Sequence, residues 1–433
     1  MSKTTAARSA ALSIMRAIRS GELADRAFAR LAEEVPARDR AWLHELVYGT
    51  LRLRGRLDYV LGKFVKKGVA SLDDDVLDIL RLAAYQLLEM DSVPAYAAVS
   101  QAVELTKATR KRSASGLVNG VLQSLQRARP IAPPADDVLE RLADWGAHPR
   151  WLIERWLAQL GSAAVAQLVD ADNTRPETFI RPLGISLDEA IARGAAAGMV
   201  LEPVAHAPDA LRMREGRVAD VLAAVPATVQ DPAAGLIARY AAPEGGVVAD
   251  LCAAPGGKAL ALADMVAGKG VVMAGDVAAA RLERAVENAR RIGALPVQFL
   301  VADARRPALR EADVVLLDVP CTGTGTFRRH PDGKWRVQPN DLFALVALQR
   351  DILDSACAIV KLGGILVYST CSLEMEENQQ QVTEFLDRHP NFLRRPPASW
   401  ADTSTIDEVG NLVVWPHVHG FDGAFATRLE RVA

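Results

Sequence analysis

Cysteine is scarce in this chain. Its 433 residues include four: Cys252, Cys321, Cys357 and Cys371. They lie far apart and lack the paired spacing of a zinc site. That argues against a disulfide framework or a structural metal, and for free thiols in a reducing cytosol. Long apolar runs are also missing, and none is long enough to span a bilayer as a helix. Net charge is nearly absent, at −2 from 51 Lys+Arg and 53 Asp+Glu. The first twenty residues contain no acid and are rich in Ala, Ser and Arg, as transit peptides are. However, Leu12, Met15 and Ile18 recur there at helical spacing and run into further helix, so a first structural helix is the better reading. A cytoplasmic protein with no membrane and no metal is expected.

The rest is ordinary globular composition, half hydrophobic with 23 Pro and 30 Gly. The length suits two or three domains. Charge is unevenly spread. Residues 1–130 carry 21 Lys+Arg against 14 Asp+Glu, and the remainder carries 30 against 39. A basic excess attracts phosphate backbones, although a solvated mixed-charge surface has the same count. Residues 1–130 read as all helix, with apolar residues three and four apart in Asp39–Lys67, Asp74–Met90 and Ala97–Gln126. Arg52, Arg54, Arg56, Lys63, Lys66 and Lys67 form one basic cluster, and Lys107, Arg110, Lys111 and Arg112 a second. Both suit phosphate contacts. Arg129–Asp137, with three prolines, reads as a linker. Residues 139–230 read as a small α+β region with no chemistry of its own.

From Asp231 to the end at 433, strand, turn and helix alternate. Expected strands are Gly246–Leu251, Gly270–Asp276, Pro296–Asp303, Asp313–Asp318 and Gly364–Thr370, with helices such as Ala279–Ile292 and Leu342–Val360 between them. That predicts an α/β domain with a mostly parallel, doubly wound sheet. Val413–Trp415 and Phe425–Leu429 suggest an antiparallel hairpin at its edge.

Three strand ends carry chemistry. Asp250 to Lys258 reads DLCAAPGGK, a glycine turn without the G-x-G-x-x-G spacing of a dinucleotide loop. Asp276 ends the next strand, where an acid meets ribose hydroxyls, and Asp303 the third, at the adenine side. Acids on successive tips without a diphosphate loop fit S-adenosylmethionine better than NAD. Any one of them would serve equally as a helix cap.

Asp318, Cys321 and Cys371 lie on two further tips, in LLDVPCTGTG and YSTCS. Carbon 5 of cytosine is a poor nucleophile until a thiolate adds at carbon 6, and then it can attack a methyl sulfonium. Such chemistry needs a thiolate, a group at the base edge and a later step that expels the enzyme. The residue types fit, but chemistry alone does not choose between the two cysteines. Cys357 reads as a small core residue within a helix, and Cys252 as part of the backbone turn.

DLCAAPGGK, LLDVPCTGTG followed by RRHPD, and YSTCS followed by EEN resemble the RNA cytosine-5 methyltransferases of the NSUN/Fmu family. The helical region resembles a NusB-type RNA-binding domain, the pairing found in bacterial Fmu/Sun (RsmB-type) small-subunit rRNA methyltransferases. The resemblance implies a Rossmann-like, S-adenosylmethionine-dependent methyltransferase domain preceded by a NusB-like domain. It implies a cytosine in 16S rRNA, naked or in an early assembly intermediate, as substrate, and a monomeric enzyme. Residue by residue, Cys252, Ala253, Ala254, Pro255, Gly256, Gly257 and Lys258 would wrap the methionine part of the cofactor, with Asp276 at the ribose and Asp303 at the adenine. Asp318 would meet the base edge near the cofactor, Cys371 would be the nucleophile, and Cys321 would assist adduct breakdown. Arg328, Arg329 and His330 would approach substrate phosphate or the target loop, or form a charged surface turn. HGFDGAFAT, at His419–Thr427, resembles the family's terminal motif, with Ala424 where a second aromatic is common. Two other readings stay open: a cytosine-5 methyltransferase of tRNA or another rRNA site, and an RNA-binding assembly or transcription factor.

Overall fold

The computed structural model describes residues 5–134, 137–293, 295–400 and 402–433. Part of the expected linker, residues 135 and 136, lies outside them. The described chain forms two compact units. One comprises the residues up to Thr174 together with Phe327–Arg336, and the other Arg175–Thr326 with Val337–Ala433.

The first unit is helical. The expected first helix is present as Ala6–Arg19, burying Ala11, Leu12, Ile14 and Met15. Asp74–Glu89 is its central helix, buried on all sides from Val76 to Leu87, as a helix enclosed by others must be. Its polar residues are therefore paired. Arg81 makes a bidentate contact with Asp58, 2.7 Å on each arm, and reaches Asp78 at 3.1 Å. At the helix start, Arg16 grips Asp75 through two bonds of 2.9 and 2.7 Å.

Phe327–Arg336 is embedded in this unit. The Phe327 ring lies 6.3 Å from that of Trp156, Trp335 donates to the Leu51 carbonyl at 2.7 Å, and the Lys334 ammonium donates to Asn173 at 2.8 Å. Lys334 has no exposed surface, and burial lowers its pKa to about 7. This corrects two expectations. Arg328 is buried, so it is not a surface group awaiting phosphate. The first basic cluster is largely structural too. Arg52 is buried and reaches the Arg328 carbonyl at 3.4 Å, Arg54 stacks over Trp335, and Arg56 stacks over Trp145. Guanidinium groups stack on aromatic faces where a sequence read alone shows only charge. Lys66, Lys67, Arg110, Lys111 and Arg112 remain exposed.

The second unit contains two sheets. The smaller is antiparallel, built from β1 (Thr178–Pro182), β2 (Val200–Val204), β3 (Ala207–Glu215) and β4 (Ala227–Val229) in the order β2-β3-β1-β4. Ile180, Leu201, Leu211 and Val221 form its core.

The larger sheet holds β5 (Gly246–Asp250), β6 (Gly270–Asp276), β7 (Val297–Val301), β8 (Ala312–Asp318), β9 (Val360–Thr370), β10 (Phe392–Arg394), β11 (Leu412–Val414) and β12 (Ala424–Arg431). Its order is β10-β12-β9-β8-β5-β6-β7, with β11 paired to β12. Pairing from β9 through β8, β5 and β6 to β7 is parallel. Both faces are covered. Val248, Leu316 and Val367 enter one core, and Ala249, Val315, Leu317, Leu366 and Tyr368 the other. That alternation explains the continuous apolar runs of a buried parallel sheet.

Three details differ from expectation. The hairpin strand β12 lies inside the sheet, between β9 and β10, rather than at the edge. β7 ends at Val301, because Asp303 turns the chain by accepting the Arg305 backbone N–H at 2.9 Å. Cys357 opens a short 3-10 turn after the helix Pro339–Ala356 instead of lying within it. Ala424 is buried in the same core as Phe421, whereas Phe425 enters the core on the other face.

The Arg16 bonds hold the Asp75 carboxyl at about 2, below its ordinary value of 3.8. A depressed carboxylate stabilises the fold above its unfolded pKa, and the contribution is lost as pH falls through the folded value. Asp75→Asn is therefore expected to cost about 1 kcal/mol in urea unfolding at neutral pH, with the gap to wild type closing in acid.

Candidate active site

β5 lies between β8 and β6: the chain runs from β5 through β6 to β7 on one side and returns to β8 on the other, so the strand order reverses there. Such a switch point opens a crevice at the carboxyl ends of the strands. A cavity of about 370 Å³ lies there, bordered by Cys252, Asp276, Asp303, Asp318, Cys321 and Cys371.

Backbone bonds shape the loop after β5. Ala253 N–H donates to the Gly275 carbonyl at 2.8 Å, Ala254 N–H to Asp276 at 3.0 Å, and Arg281 donates to the Ala254 carbonyl at 2.8 Å. Gly256 has φ +103°, and a Cβ there would lie 2.4 Å from the Ala285 Cβ. Only glycine fits that turn and that approach. Cys252 and Ala254 reach the cavity wall, whereas Ala253, Pro255, Gly256, Gly257 and Lys258 do not border it. Asp276 has a double duty, since its other oxygen accepts from Ala278 N–H at 2.9 Å. Asp303 is held by Arg305 at 2.7 Å, and that bond draws its pKa down.

Lys258, in the first turn of the helix Gly257–Met265, donates to Asp318 Oδ2 at 2.6 Å. Burial works against the Lys258 charge, and the Asp318 carboxylate more than offsets it, so the ammonium stays above its ordinary value. Ser369 donates to the other Asp318 oxygen at 3.2 Å. Motif reading put Lys258 with the cofactor loop; only the fold shows that it grips Asp318.

Parallel pairing of β8 with β9 sets Asp318 opposite Ser369. Cys321 follows β8 and Cys371 follows β9, and their Sγ atoms are 3.3 Å apart. Hydrogen bonding with Cys371, then burial, raises Cys321 well above a free thiol. The loop beyond Cys321 is clamped. Gly325 N–H donates to the Cys371 carbonyl at 3.0 Å, and Gly423 N–H to the Gly325 carbonyl at 2.7 Å. The other two cysteines are not brought here as thiols for chemistry. Cys252 borders the cavity half-buried, with its thiol pKa pushed far up, chiefly by desolvation, and Cys357 donates to the Asp354 carbonyl at 3.2 Å.

Two buried acids have surroundings that no motif records. Asp250 is fully buried, neither carboxylate oxygen has a hydrogen-bond partner, and burial pushes its pKa up to about 7. Glu377 has no exposed surface and binds the loop after Cys321. In sequence Glu377 sits in an EEN string that looks like surface and carries no sign of burial.

Two measurements test this geometry. Mild oxidation of the free protein by a thiol-specific oxidant is expected to join Cys321 to Cys371, seen as a linked peptide by mass spectrometry. A raised carboxyl stabilises the fold below its unfolded pKa, and that contribution is lost as pH rises through the folded value. Asp250→Asn is therefore expected to gain on the order of 2 kcal/mol over wild type in urea unfolding above pH about 7, with no difference in acid.

Comparisons with known proteins converge on this arrangement. A family model for 16S rRNA methyltransferase RsmB/F matches residues 239–430, the NusB family matches 5–127, and a ferredoxin-like domain of RsmF/B-like methyltransferases matches 148–219. Ribosomal RNA small subunit methyltransferase B of Erwinia tasmaniensis is 34% identical, over 98% of this chain and 97% of its own. The enzyme of that name from Serratia proteamaculans is 32% identical, over 98% of each. The crystal structure of PH0851 superposes with a TM-score of 0.81 at 28% identity, covering 99% of both chains. With a NusB domain, a Rossmann-like domain and relatives matching over 98% of its length, the chain belongs to the RsmB/F family of rRNA methyltransferases, S-adenosylmethionine-dependent RNA cytosine-5 enzymes.

Proposed function

We propose that the enzyme methylates carbon 5 of one specific cytosine in 16S rRNA through a covalent bond between Cys371 and carbon 6. The observation that carries this reading is the pair of thiols 3.3 Å apart beside Asp318 in one cavity.

The cavity fits a small cationic cofactor. Acids border it, and the buried Asp250 carboxylate beneath the loop lacks a partner. In this reading the Cys252–Lys258 loop holds the methionine part through Cys252 and Ala254, which face the cavity, Asp276 takes the ribose hydroxyls and Asp303 stands at the adenine side. S-adenosylmethionine supplies an electrophilic methyl group when bound. Asp318, oriented by Lys258, accepts from the exocyclic amine of the base. Cys371 adds to carbon 6 and makes carbon 5 nucleophilic. For release, once carbon 5 carries the methyl group, its proton passes to a base; the C–H bonding pair re-forms the carbon 5–carbon 6 double bond as the carbon 6–sulfur bond breaks with its electrons on Cys371. Cys321, in van der Waals reach of Cys371, assists that step.

A stacked base cannot enter such a site, so an unpaired or flipped cytosine is the substrate. The basic helical domain positions the RNA through phosphates, with Lys66, Lys67, Arg110, Lys111 and Arg112 as exposed contacts. The substrate is naked 16S rRNA or an early assembly intermediate, met in the cytoplasm.

The test is a gel assay for RNA adducts that resist denaturation. Wild type, Cys321→Ala and Cys371→Ala are each mixed with S-adenosylmethionine and 16S rRNA. Cys321→Ala is expected to trap RNA, and Cys371→Ala neither to trap nor to methylate. Trapping by Cys371→Ala reverses the two roles. Methylation of tRNA in place of 16S rRNA by wild type moves the substrate assignment.

A further inference from the structure

The direction of the Cys321 thiol depends on the two peptide groups that flank it, and both are held by one buried polar pair. Glu377, in the turn after β9, accepts from Thr322 N–H at 2.9 Å through Oε1 and from the Thr322 hydroxyl at 2.5 Å through Oε2. Gln349, on the helix Pro339–Ala356, donates through Nε2 to the Pro320 carbonyl and to Glu377 Oε1, each at 2.9 Å. Neither side chain has any exposed surface. Tyr368 completes the support, with its hydroxyl 2.6 Å from the Glu377 carbonyl and 3.2 Å from Gln349 Oε1. Ser372, next to Cys371, lies 3.0 Å from the Thr322 hydroxyl. One network therefore touches the residues beside both thiols.

A buried carboxylate is costly unless it is fully bonded, and an apolar residue would fill the space at lower cost. Burial raises the Glu377 pKa, and the bonds from Ser372, Thr322 and Gln349 oppose that rise. We propose that Glu377, braced by Gln349, is a positioning residue that clamps the backbone on both sides of Cys321 and fixes its thiol for release of the methylated base. The release role rests on the two-thiol reading above; the clamp itself does not. The Glu377 charge also adds to the forces that hold the Cys321 proton in place.

Glu377→Gln keeps the shape and removes the charge, and Gln349→Met keeps the volume and removes both donors. Each is assayed beside Cys321→Ala and Cys371→Ala for adduct accumulation and for single- and multiple-turnover methylation. Alkylation of Cys321 in the free protein is followed against pH by peptide mass spectrometry. Losing one charge-assisted bond corresponds to about tenfold in rate. Both variants are expected to accumulate adduct and to lose about tenfold more in multiple than in single turnover. Glu377→Gln should also shift the Cys321 alkylation profile to lower pH. The proposal is overturned if both variants match wild type in turnover and alkylation. It is equally overturned if both lose adduct and methylation together with Cys321 alkylation unchanged, the mark of general damage. If Cys321→Ala traps nothing but Glu377→Gln still shifts Cys321 alkylation, the release role fails and the clamp stands.

Discussion

Parallel pairing between β8 and β9 is the constraint on which the site depends. It sets Asp318 level with Ser369 and brings the two cysteine-bearing turns side by side. A slip of one residue would turn Val315, Leu317, Leu366 and Tyr368 from one core to the other. Burial on both faces forbids that slip, so hydrophobic packing fixes the separation of two sulfur atoms that never enter the core. Reactive groups at strand tips are placed by the strands' insides.

Electrostatics then sort the groups on that scaffold. Asp250 and Asp318 crowd a low-dielectric crevice with one ammonium, Lys258. Lys258 sits on Asp318, and burial, with the nearby Asp318 charge, raises the Asp250 pKa. This uneven division leaves Asp318 held at both oxygens, by Lys258 and Ser369, and Asp250 without a side-chain cation of its own. Burying such a group lowers the stability of the unliganded fold, a cost common at functional sites. The thiols follow the same logic: mutual hydrogen bonding and burial hold a proton on Cys321.

The segment Phe327–Arg336 carries a related lesson about charge. It follows the Cys321 loop in sequence yet contributes to the helical unit's interior. Lys334 is wholly buried there, and Arg52, Arg54 and Arg56 are engaged with backbone or aromatic rings. Basic residues that look like a phosphate-binding row are in part the mortar of a polar core. Lys66, Lys67, Arg110, Lys111 and Arg112 keep their charge at the unit's surface.

The sequence alone determined much of this protein. The strand-turn-helix alternation, the five parallel strands and the motif residues around the cavity were all legible, because apolar periodicity and glycine turns are local properties. The family resemblance was legible in three short segments around Gly256, Cys321 and Cys371. What the tertiary structure decided lies in pairings far apart in the chain. Lys258 meets Asp318, Glu377 meets Thr322, β12 is inserted between β9 and β10, and Phe327–Arg336 enters the helical unit. No periodicity records such partners, since a charge or an amide in sequence carries no mark of what will desolvate it. Only folding brings the groups together, and burial then decides which must be paired.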